Sequence, residues 1–246
     1  MPLPVLIVGD VHGDLERLFA ALKPYPADRW RTIFLGDLVD GGPFGVGALR
    51  YARDRPNTSV LLGNHEVAML RALRDRSTVG YWVAIGGQPH DLQELERDAD
   101  LQRWLRALPV LLSLEDGTLV QHSDNDNYGA LVEARGGGGI VDEANQMARL
   151  LLENGREDLL WDAMSPFGLF RRQPRRLDAW LQRTGARRVV HGHSRHRARG
   201  PDVYHGGRAI CYDGGLSRYY GGHSPGRGGS VSGSVAPLPP WQDGRH

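Results

Sequence analysis

The sequence is poor in cysteine and lysine and carries almost no net charge. Cys211 is the only cysteine, which excludes an intramolecular disulfide framework, and we expect it to be a buried strand residue rather than a nucleophile. Lys23 is the only lysine, and the formal net charge is +1. This charge balance predicts no general attraction to nucleic acid or to membranes.

Long hydrophobic runs are also missing. No apolar segment reaches the ~20 residues that a membrane-spanning helix needs. The initial MPLPVLIVGD enters a predicted strand directly and leaves no room for a secretory signal. We therefore expect a cytoplasmic protein with one large α/β domain, for which 246 residues suffice.

Arginine is concentrated in one segment of the chain. Ten arginines lie between Arg171 and Arg199, against the single acid Asp178. Two interpretations remain open at this point. The segment could form a basic rim, or arginine could simply be the cation that this protein uses throughout.

The sequence does contain four short polar motifs, each of which directly follows an apolar run. The motifs are GDVHGD at 9–14, GDLVDGG at 36–42, GNHE at 63–66 and HGHS at 191–194. The preceding runs VLIV, TIFL, SVLL and RRVV are short and bounded by glycine, which predicts buried strands. Polar side chains are therefore expected at the ends of four strands.

The residue types in these motifs suit metal binding. Asp10 and His12 stand two residues apart, so an extended chain directs both side chains to one side. The Asp37 carboxylate has two oxygens and is predicted to bridge two cations at the ~3.5–4 Å separation of two-metal sites. Asn64 offers an amide oxygen, whereas the ring of His65 is expected to point elsewhere and donate a proton.

Two more imidazoles would complete the second metal site. His122 follows the apolar GTLVQ, although a histidine at a strand end is commonly a core residue. In the last motif His191 and His193 compete, with His196 as a third candidate. We prefer His193 because it follows Gly192, where the backbone can turn tightly. Each motif alone is also compatible with ordinary turn chemistry, and their order along the chain is what favours a two-metal hydrolase.

This series of motifs closely resembles the calcineurin-like metallophosphoesterases, whose pattern is GDxHG, GDxxDxG, GNHE, a single His and GH. The spelling GDLVD and GNHE is similar to the phosphoprotein phosphatase branch, especially bacterial members and the Shewanella-like group. LWDAMSPFGLFRR at 160–172 and AICYDGGLSRYYGG at 209–222 also resemble segments of that group. The resemblance covers residues 3–222 and implies an α/β fold of two facing mixed β-sheets flanked by helices.

The predicted domain organisation is a metallophosphoesterase catalytic domain at residues 1–222 followed by a tail at 223–246. The tail is rich in Gly, Ser and Pro, and we expect a last strand near Val231–Ala236 and then a disordered end. Within the domain, apolar residues at helical spacing predict five helices, at Leu15–Leu22, Gly45–Arg53, Val67–Arg74, Leu92–Leu108 and Asp142–Asn154.

Carried over by position, the resemblance implies a ligand set and a general acid. Asp10, His12 and Asp37 would hold the first metal, and Asp37, Asn64, His122 and His193 would hold the second. His65 would be the general acid, oriented by Asp40, while a hydroxide held by both metals attacks phosphorus. The cofactors would be two divalent metal ions, with Mn as the first choice and Fe and Zn as alternatives, since mixed O/N ligands suit all three.

Two departures from the family pattern bear on the substrate. Gly41 and Leu62 stand where arginines usually grip phosphate, and Arg171, next to Arg172, is the candidate for a remaining clamp. The expected partner is a phosphorylated substrate, either a phosphoprotein carrying phosphoserine, phosphothreonine or phosphotyrosine or a small phosphomonoester. The alternatives are a dinucleoside polyphosphate hydrolase, a phosphodiesterase, and a metal-binding scaffold without turnover.

Overall fold

The computed structural model describes residues 2–132, 139–219 and 231–241, and in these residues nine strands form two sheets. The first sheet contains β1 (Val5–Val8), β2 (Arg31–Phe34), β3 (Thr58–Val60) and β9 (Val235–Pro237). The second sheet contains β4 (Leu111–Ser113), β5 (Thr118–Gln121), β6 (Arg188–His191), β7 (Asp202–Tyr204) and β8 (Ala209–Cys211).

Both sheets are mixed. In the order β3-β2-β1-β9, the first three strands are parallel and β9 runs antiparallel to β1. In the order β4-β5-β6-β8-β7, the three central strands are parallel and the two edge strands are antiparallel to their neighbours. Since parallel strands end at a common edge, the polar motifs that follow these strands are brought to the same side of each sheet.

The two sheets face each other across an apolar layer. The first sheet contributes Ile7 and Ile33, and the second contributes Val120, Val190 and Ile210, all of which are buried in one cluster. A second, larger cluster packs the helices against the outer faces of the sheets. The predicted architecture of two facing mixed sheets flanked by helices is therefore confirmed. Cys211 is fully buried in β8, where the sequence placed it.

The helices connect the strands and cover the sheets. Among the described residues, none of them combines the length and the apolar composition that crossing a bilayer requires. In chain order the helices are α1 (Leu15–Leu22), α2 (Gly45–Asp54), α3 (Asn64–Arg74), α4 (Val79–Ala84), α5 (Pro89–Glu96), α6 (Ala99–Arg106), α7 (Ile140–Glu153), α8 (Glu157–Met164), α9 (Leu169–Arg172), α10 (Pro174–Thr184) and α11 (Val231–Ser234).

One predicted helix is wrong, and four are present. The single helix predicted at Leu92–Leu108 is divided into α5 and α6, because Asp98 caps a new helix: its Oδ1 accepts a hydrogen bond from the Leu101 N–H at 2.9 Å. The other predicted helices correspond to α1, α2, α3 and α7, with ends that agree or shift by a few residues.

The last described segment completes the first sheet. A strand is predicted near Val231–Ala236, and the structure begins this stretch with α11 and places the strand slightly later, as β9. β9 pairs with β1 so that Val235 lies opposite Val8. Of the tail that is predicted to be irregular with a disordered end, residues 223–230 and 242–246 lie outside the described residues, and the domain boundary at residue 222 stays a prediction.

Candidate metal centre

The six predicted metal ligands all follow strands, and the structure brings them to one place. Asp10 and His12 follow β1, Asp37 follows β2, and Asn64 follows β3. His122 follows β5 in the second sheet, and His193 follows β6. The centre is therefore assembled from the strand ends of both sheets, which meet where the two sheets face each other.

Asp37 lies at the middle of this cluster. Its Oδ2 is 3.3 Å from His122 Nε2, 3.9 Å from His65 Nε2 and 4.0 Å from His193 Nδ1. The Asp37 carboxylate belongs to two sets of donor atoms, and the atoms of each set lie within 4.8 Å of one another. The first set also contains His12 and His65, and the second also contains His122 and His193. A carboxylate shared by two donor sets is the arrangement expected for two adjacent cations.

The remaining predicted ligands lie beside these two sets. Asp10 Oδ2 is 3.9 Å from His12 Nε2, and Asn64 Oδ1 is 2.8 Å from His122 Nε2. The cluster thus offers carboxylate oxygens, one amide oxygen and imidazole nitrogens. This mixed set fits divalent transition metals such as Mn, Fe or Zn, so the residues present suit the cofactors that the family pattern implies.

Backbone carbonyls fix the orientation of the imidazoles. His12 Nδ1 lies 3.2 Å from Val39 O, and His122 Nδ1 lies 2.9 Å from Leu35 O. These contacts turn the Nε2 atom of each ring toward the centre. A ring whose Nδ1 donates to a carbonyl keeps its lone pair on Nε2, which is then the atom available to a metal. His193 is turned the other way: its Nε2 bonds Ser165 O at 2.9 Å, so its Nδ1 faces Asp37.

The backbone at the centre is held in an unfavourable conformation. His12, Asp37, Asp40 and His193 all have positive φ, at 45°, 51°, 66° and 61°. Residues with a side chain rarely adopt this region, and such strain persists only where the surrounding structure imposes it. The four positions coincide with residues that the sequence assigned to the site.

Glu66 is the group that holds the Asp37 loop, and the sequence analysis assigned it no role. Glu66 Oε2 accepts hydrogen bonds from the N–H groups of Asp37 and Gly63 at 2.8 and 2.9 Å. Its Oε1 accepts from the N–H groups of Leu38 and Val39 at 2.7 and 3.2 Å. The position of Glu66 at the end of the GNHE motif was the available signal, since it closes the motif that carries Asn64 and His65.

His65 and Asp40 form a buried pair beside the metal ligands. His65 Nδ1 is 2.7 Å from Asp40 Oδ2, and both side chains are buried. Burial alone lowers the pKa of His65, but the carboxylates of Asp37 and Asp40 outweigh it and raise the pKa to about 9. The hydrogen bond and the charge of Asp40 thus favour the protonated, proton-donating form of the imidazole.

The other carboxylate oxygen of Asp40 has its own partner. Trp82, in α4, donates its indole N–H to Asp40 Oδ1 at 2.9 Å. Trp82 is fully buried. The sequence analysis did not identify it, because the distance from the nearest motif gives no indication that its ring would reach Asp40.

Several buried carboxylates crowd around the ligands. Asp10, Asp37, Glu66 and Asp213 are all at most 7% exposed. Burial, together with the charges of Asp213 and Asp37, raises the pKa of Asp10 well above its usual range. Burial and the nearby His65 lower the pKa of His12 to about 3, so this ring is neutral, the form that binds a metal. Bound cations would offset the crowded negative charge.

Of the three histidines that compete for the last ligand position, His193 is the one whose ring lies near the Asp37 carboxylate. His191 is buried and its Nε2 lies 2.7 Å from the Tyr204 hydroxyl, away from the cluster. His196 Nδ1 instead accepts from the Ala198 N–H at 3.2 Å. The His193 N–H donates to Asp10 Oδ1 at 3.0 Å, and a Cβ on the preceding Gly192 would lie 2.3 Å from that same oxygen. Glycine is therefore required for this close approach.

The centre opens into a cleft of about 780 Å³. Arg171, Arg172 and Arg195 line it, so part of the arginine-rich segment does form a basic rim. Arg171 is tethered there: its guanidinium is 2.6 Å from Asp202 Oδ2 and stacks over the Tyr204 ring, 4.2 Å from the centroid.

The fold disfavours an arginine side chain at both of the positions where the family pattern has one. Leu62 is fully buried in the core beneath the helices. Gly41 has a φ of +78°, and its N–H donates to Gly86 O at 2.8 Å. A side chain at position 41 would therefore be strained, so the fold itself disfavours an arginine at either place.

The facing mixed sheets, with carboxylates and imidazoles gathered at their strand ends, place this chain among the metal-dependent hydrolases. A family model described as "Calcineurin-like phosphoesterase" matches residues 3–227, and the chain therefore belongs to that family. The predicted family, fold and enzyme class are confirmed at this level.

Curated relatives match part of the chain. A symmetrical bis(5'-nucleosyl)-tetraphosphatase of Actinobacillus pleuropneumoniae serotype 5b (strain L20) is 34% identical over 116 residues, which cover 43% of this chain and 39% of the relative. The corresponding protein of Aromatoleum aromaticum (strain DSM 19018 / LMG 30748 / EbN1) is 35% identical over 129 residues, covering 49% and 44%. The chain thus matches less than half the length of these relatives.

Solved structures show the same fold. The cold-active protein-tyrosine phosphatase of a psychrophile Shewanella sp. superposes with a TM-score of 0.67 at 18% identity, covering 97% of this chain and 81% of that one. A putative diadenosine tetraphosphatase gives a TM-score of 0.50 at 21% identity, covering 97% and 94%. At these identities the likeness extends to the fold alone.

Proposed function

We propose that this chain is a phosphoesterase that binds two divalent cations and hydrolyses phosphate esters. The observation that carries the proposal is the Asp37 carboxylate, which forms one donor set with His12 and His65 and a second with His122 and His193. In the first set we assign His12 as a ligand and His65 as the proton donor, because the other ring nitrogen of His65 is paired with Asp40. Mn is the proposed metal, with Fe and Zn as alternatives that the mixed O/N donors would also accept. The proposed ligands are Asp10, His12 and Asp37 for one ion, and Asp37, Asn64, His122 and His193 for the other.

The chemistry divides between the cations and the protein. When bound, the two cations would activate water and neutralise the phosphate oxygens. His65 donates a proton to the leaving oxygen, and Asp40, 2.7 Å from the opposite ring nitrogen, keeps the imidazole oriented and protonated. Glu66 keeps the Asp37 carboxylate in place through the four backbone N–H groups that it accepts.

A phosphomonoester, on a protein side chain or on a small molecule, is the proposed substrate. Arg171 and Arg172 line the cleft that opens from the cluster. Guanidinium groups form charge-assisted hydrogen bonds with phosphate oxygens, so these residues are suited to bind the dianion of a monoester. Because positions 41 and 62 carry no guanidinium, the grip on the substrate is expected to be weaker than in members of the family that have both arginines.

A dinucleoside polyphosphate is the second candidate substrate, and two observations favour it. The relatives at 34% and 35% identity are named as symmetrical bis(5'-nucleosyl)-tetraphosphatases. The cleft, at about 780 Å³, is also larger than a phosphate group needs, and Phe167 on its lining is 63% exposed and available to stack on a planar ring.

One panel of assays separates these functions. The purified protein is loaded with Mn²⁺, Fe²⁺ or Zn²⁺ and assayed with p-nitrophenyl phosphate, its bis ester, phosphopeptides and diadenosine tetraphosphate, with Asp37→Asn as the control for contaminating activity. Turnover of monoesters or phosphopeptides supports the first candidate, and preference for diadenosine tetraphosphate supports the second. Preference for the bis ester would identify a phosphodiesterase. Metal binding without turnover of any substrate would contradict the proposal and leave a metal-binding scaffold.

A further inference from the structure

We infer that Trp82 is a positioning residue for proton donation: its indole N–H fixes the Asp40 carboxylate, which in turn fixes His65. The inference rests on the proposed function, since it concerns the group that protonates the leaving oxygen. Trp82 is not among the described residues that line the cleft, and its indole N–H donates to Asp40. It would act only through Asp40.

The hydrogen bonds form a short linear chain. Trp82 Nε1 donates to Asp40 Oδ1 at 2.9 Å, and Asp40 Oδ2 lies 2.7 Å from His65 Nδ1. Each carboxylate oxygen therefore has one partner. A carboxylate bonded through one oxygen alone can still rotate, whereas partners on both oxygens fix its plane, and with it the direction of the His65 ring. His65 then presents the proton on Nε2 to the leaving oxygen while Nδ1 keeps its proton against Asp40.

The segment that follows α4 packs against the indole ring of Trp82. A Cβ on Gly87 would lie 2.2 Å from the Cδ2 atom of Trp82, so this segment passes against the ring and only glycine fits. The Gly87 N–H donates to Trp82 O at 2.9 Å, and the preceding Gly86 O accepts from the Gly41 N–H at 2.8 Å. The residues after α4 are thus bonded both to Trp82 and to the turn that carries Asp40.

A purely structural explanation predicts something different. A buried indole N–H needs an acceptor, and Asp40 could serve only to satisfy it. In that case loss of the N–H would destabilise the fold without changing how the enzyme treats different leaving groups. If Trp82 instead aligns Asp40 with His65, its loss affects the substrates that most need a proton.

The test uses Trp82→Phe in the metal-loaded protein, with p-nitrophenyl phosphate and glycerol 2-phosphate as substrates. Trp180→Phe is the matched control, because Trp180 is also buried and donates its indole N–H to Gln121 Oε1 at 2.8 Å, outside the His65 pair. We expect Trp82→Phe to lower kcat for glycerol 2-phosphate roughly tenfold more than for p-nitrophenyl phosphate, in line with the loss of a hydrogen bond to a charged group. KM and metal content should be unchanged, and Trp180→Phe should leave the ratio of the two substrates at its original value.

A second variant and a measurement of folding complete the test. Gly87→Ala leaves the indole N–H in place but displaces its ring, and it should reproduce the same selective loss on glycerol 2-phosphate. Thermal melting of each variant checks that the protein assayed is folded. An equal fall on both substrates in either variant, or the same change of ratio in Trp180→Phe, would overturn the inference while leaving the proposed function in place. Absence of turnover in the unmodified, metal-loaded protein would overturn both together.

Discussion

Glu66 holds Asp37 by its backbone: Glu66 Oε2 accepts a hydrogen bond from the Asp37 N–H at 2.8 Å. Since the same carboxylate also accepts from Leu38, Val39 and Gly63, it ties the strained turn after β2 to the start of α3. This relationship makes Glu66 a determinant of the geometry of the proposed bridging carboxylate, although it is not a proposed metal ligand.

Glu66→Gln should therefore weaken both the fold and metal binding. Two buried N–H donors would face the amide nitrogen, and each unsatisfied donor costs about 1–3 kcal/mol. We expect the free energy of unfolding to fall by at least about 2 kcal/mol in chemical denaturation. Burial and the charge of Asp37 raise the pKa of Glu66 to about 7, so the measurement belongs at pH 8, where the carboxylate is ionised. Glu153→Gln, on an exposed glutamate of α7, is the control; equal stability of the two variants would contradict this account.

Asp37→Asn should reduce the bound metal from two ions to at most one and abolish turnover. The substitution removes the charge that both donor sets share, and the amide provides only one oxygen. Elemental analysis of the purified variant, alongside kinetics on p-nitrophenyl phosphate, checks the prediction. One metal per chain in the fully active unmodified protein would disprove the two-metal proposal.

His193→Ala and His191→Ala should differ in their effects on metal content. His193 Nδ1 lies 4.0 Å from Asp37 Oδ2, whereas the His191 ring bonds the Tyr204 hydroxyl. Loss of His193 should therefore remove metal and activity, and loss of His191 should lower thermal stability while the metal remains. Metal retention in His193→Ala together with metal loss in His191→Ala would reverse the assignment.

His65→Asn should leave the metal content unchanged and lower kcat by roughly 10²–10⁴-fold, the usual range for a positioned general acid. The loss should be largest for alkyl phosphates, because an alkoxide leaves poorly without a proton. It should be smallest for p-nitrophenyl phosphate, whose phenolate needs little help. Equal losses on both substrates would indicate a role in binding, and loss of metal would make His65 a ligand.

Arg171→Ala should raise KM for phosphomonoesters by roughly tenfold or more, as expected for the loss of a hydrogen bond to a charged group. The guanidinium is held at the cleft by Asp202 and by the Tyr204 ring, so little entropy is lost when it binds phosphate. Arg175→Ala is the control, because Arg175 is exposed and is not among the residues lining the cleft. Unchanged monoester kinetics in Arg171→Ala would remove Arg171 from the proposed site.

The sequence was most informative where local pattern and chemistry coincide. The strands before the four motifs and the convergence of Asp10, His12, Asp37 and Asn64 follow from short apolar runs that end in polar residues. The tight turn allowed by Gly192 favoured His193 over His191, and the structure places His193 beside Asp37.

Long-range contacts were less predictable. The segment 92–108 is divided by a single helix cap at Asp98. The apolar residues of this segment keep helical spacing throughout, so the pattern gives no sign of the division. Trp82 reaches Asp40 from 42 positions along the chain, and Asp213 joins the buried carboxylates from the segment that follows β8. These contacts are set by the packing of α4 and β8 and leave no local pattern in the sequence.

The pairing of β9 with β1 has a consequence for biosynthesis. The first strand in the sequence acquires its outer neighbour only when the chain has been made as far as Pro237. Until then, one edge of β1 is exposed on the nascent chain, and an exposed strand edge is prone to pair with other chains. The Gly9 N–H, adjacent to Asp10, also donates to Ser234 O at 2.8 Å. The turn that carries Asp10 therefore gains this backbone hydrogen bond only after the segment around Ser234 has been made.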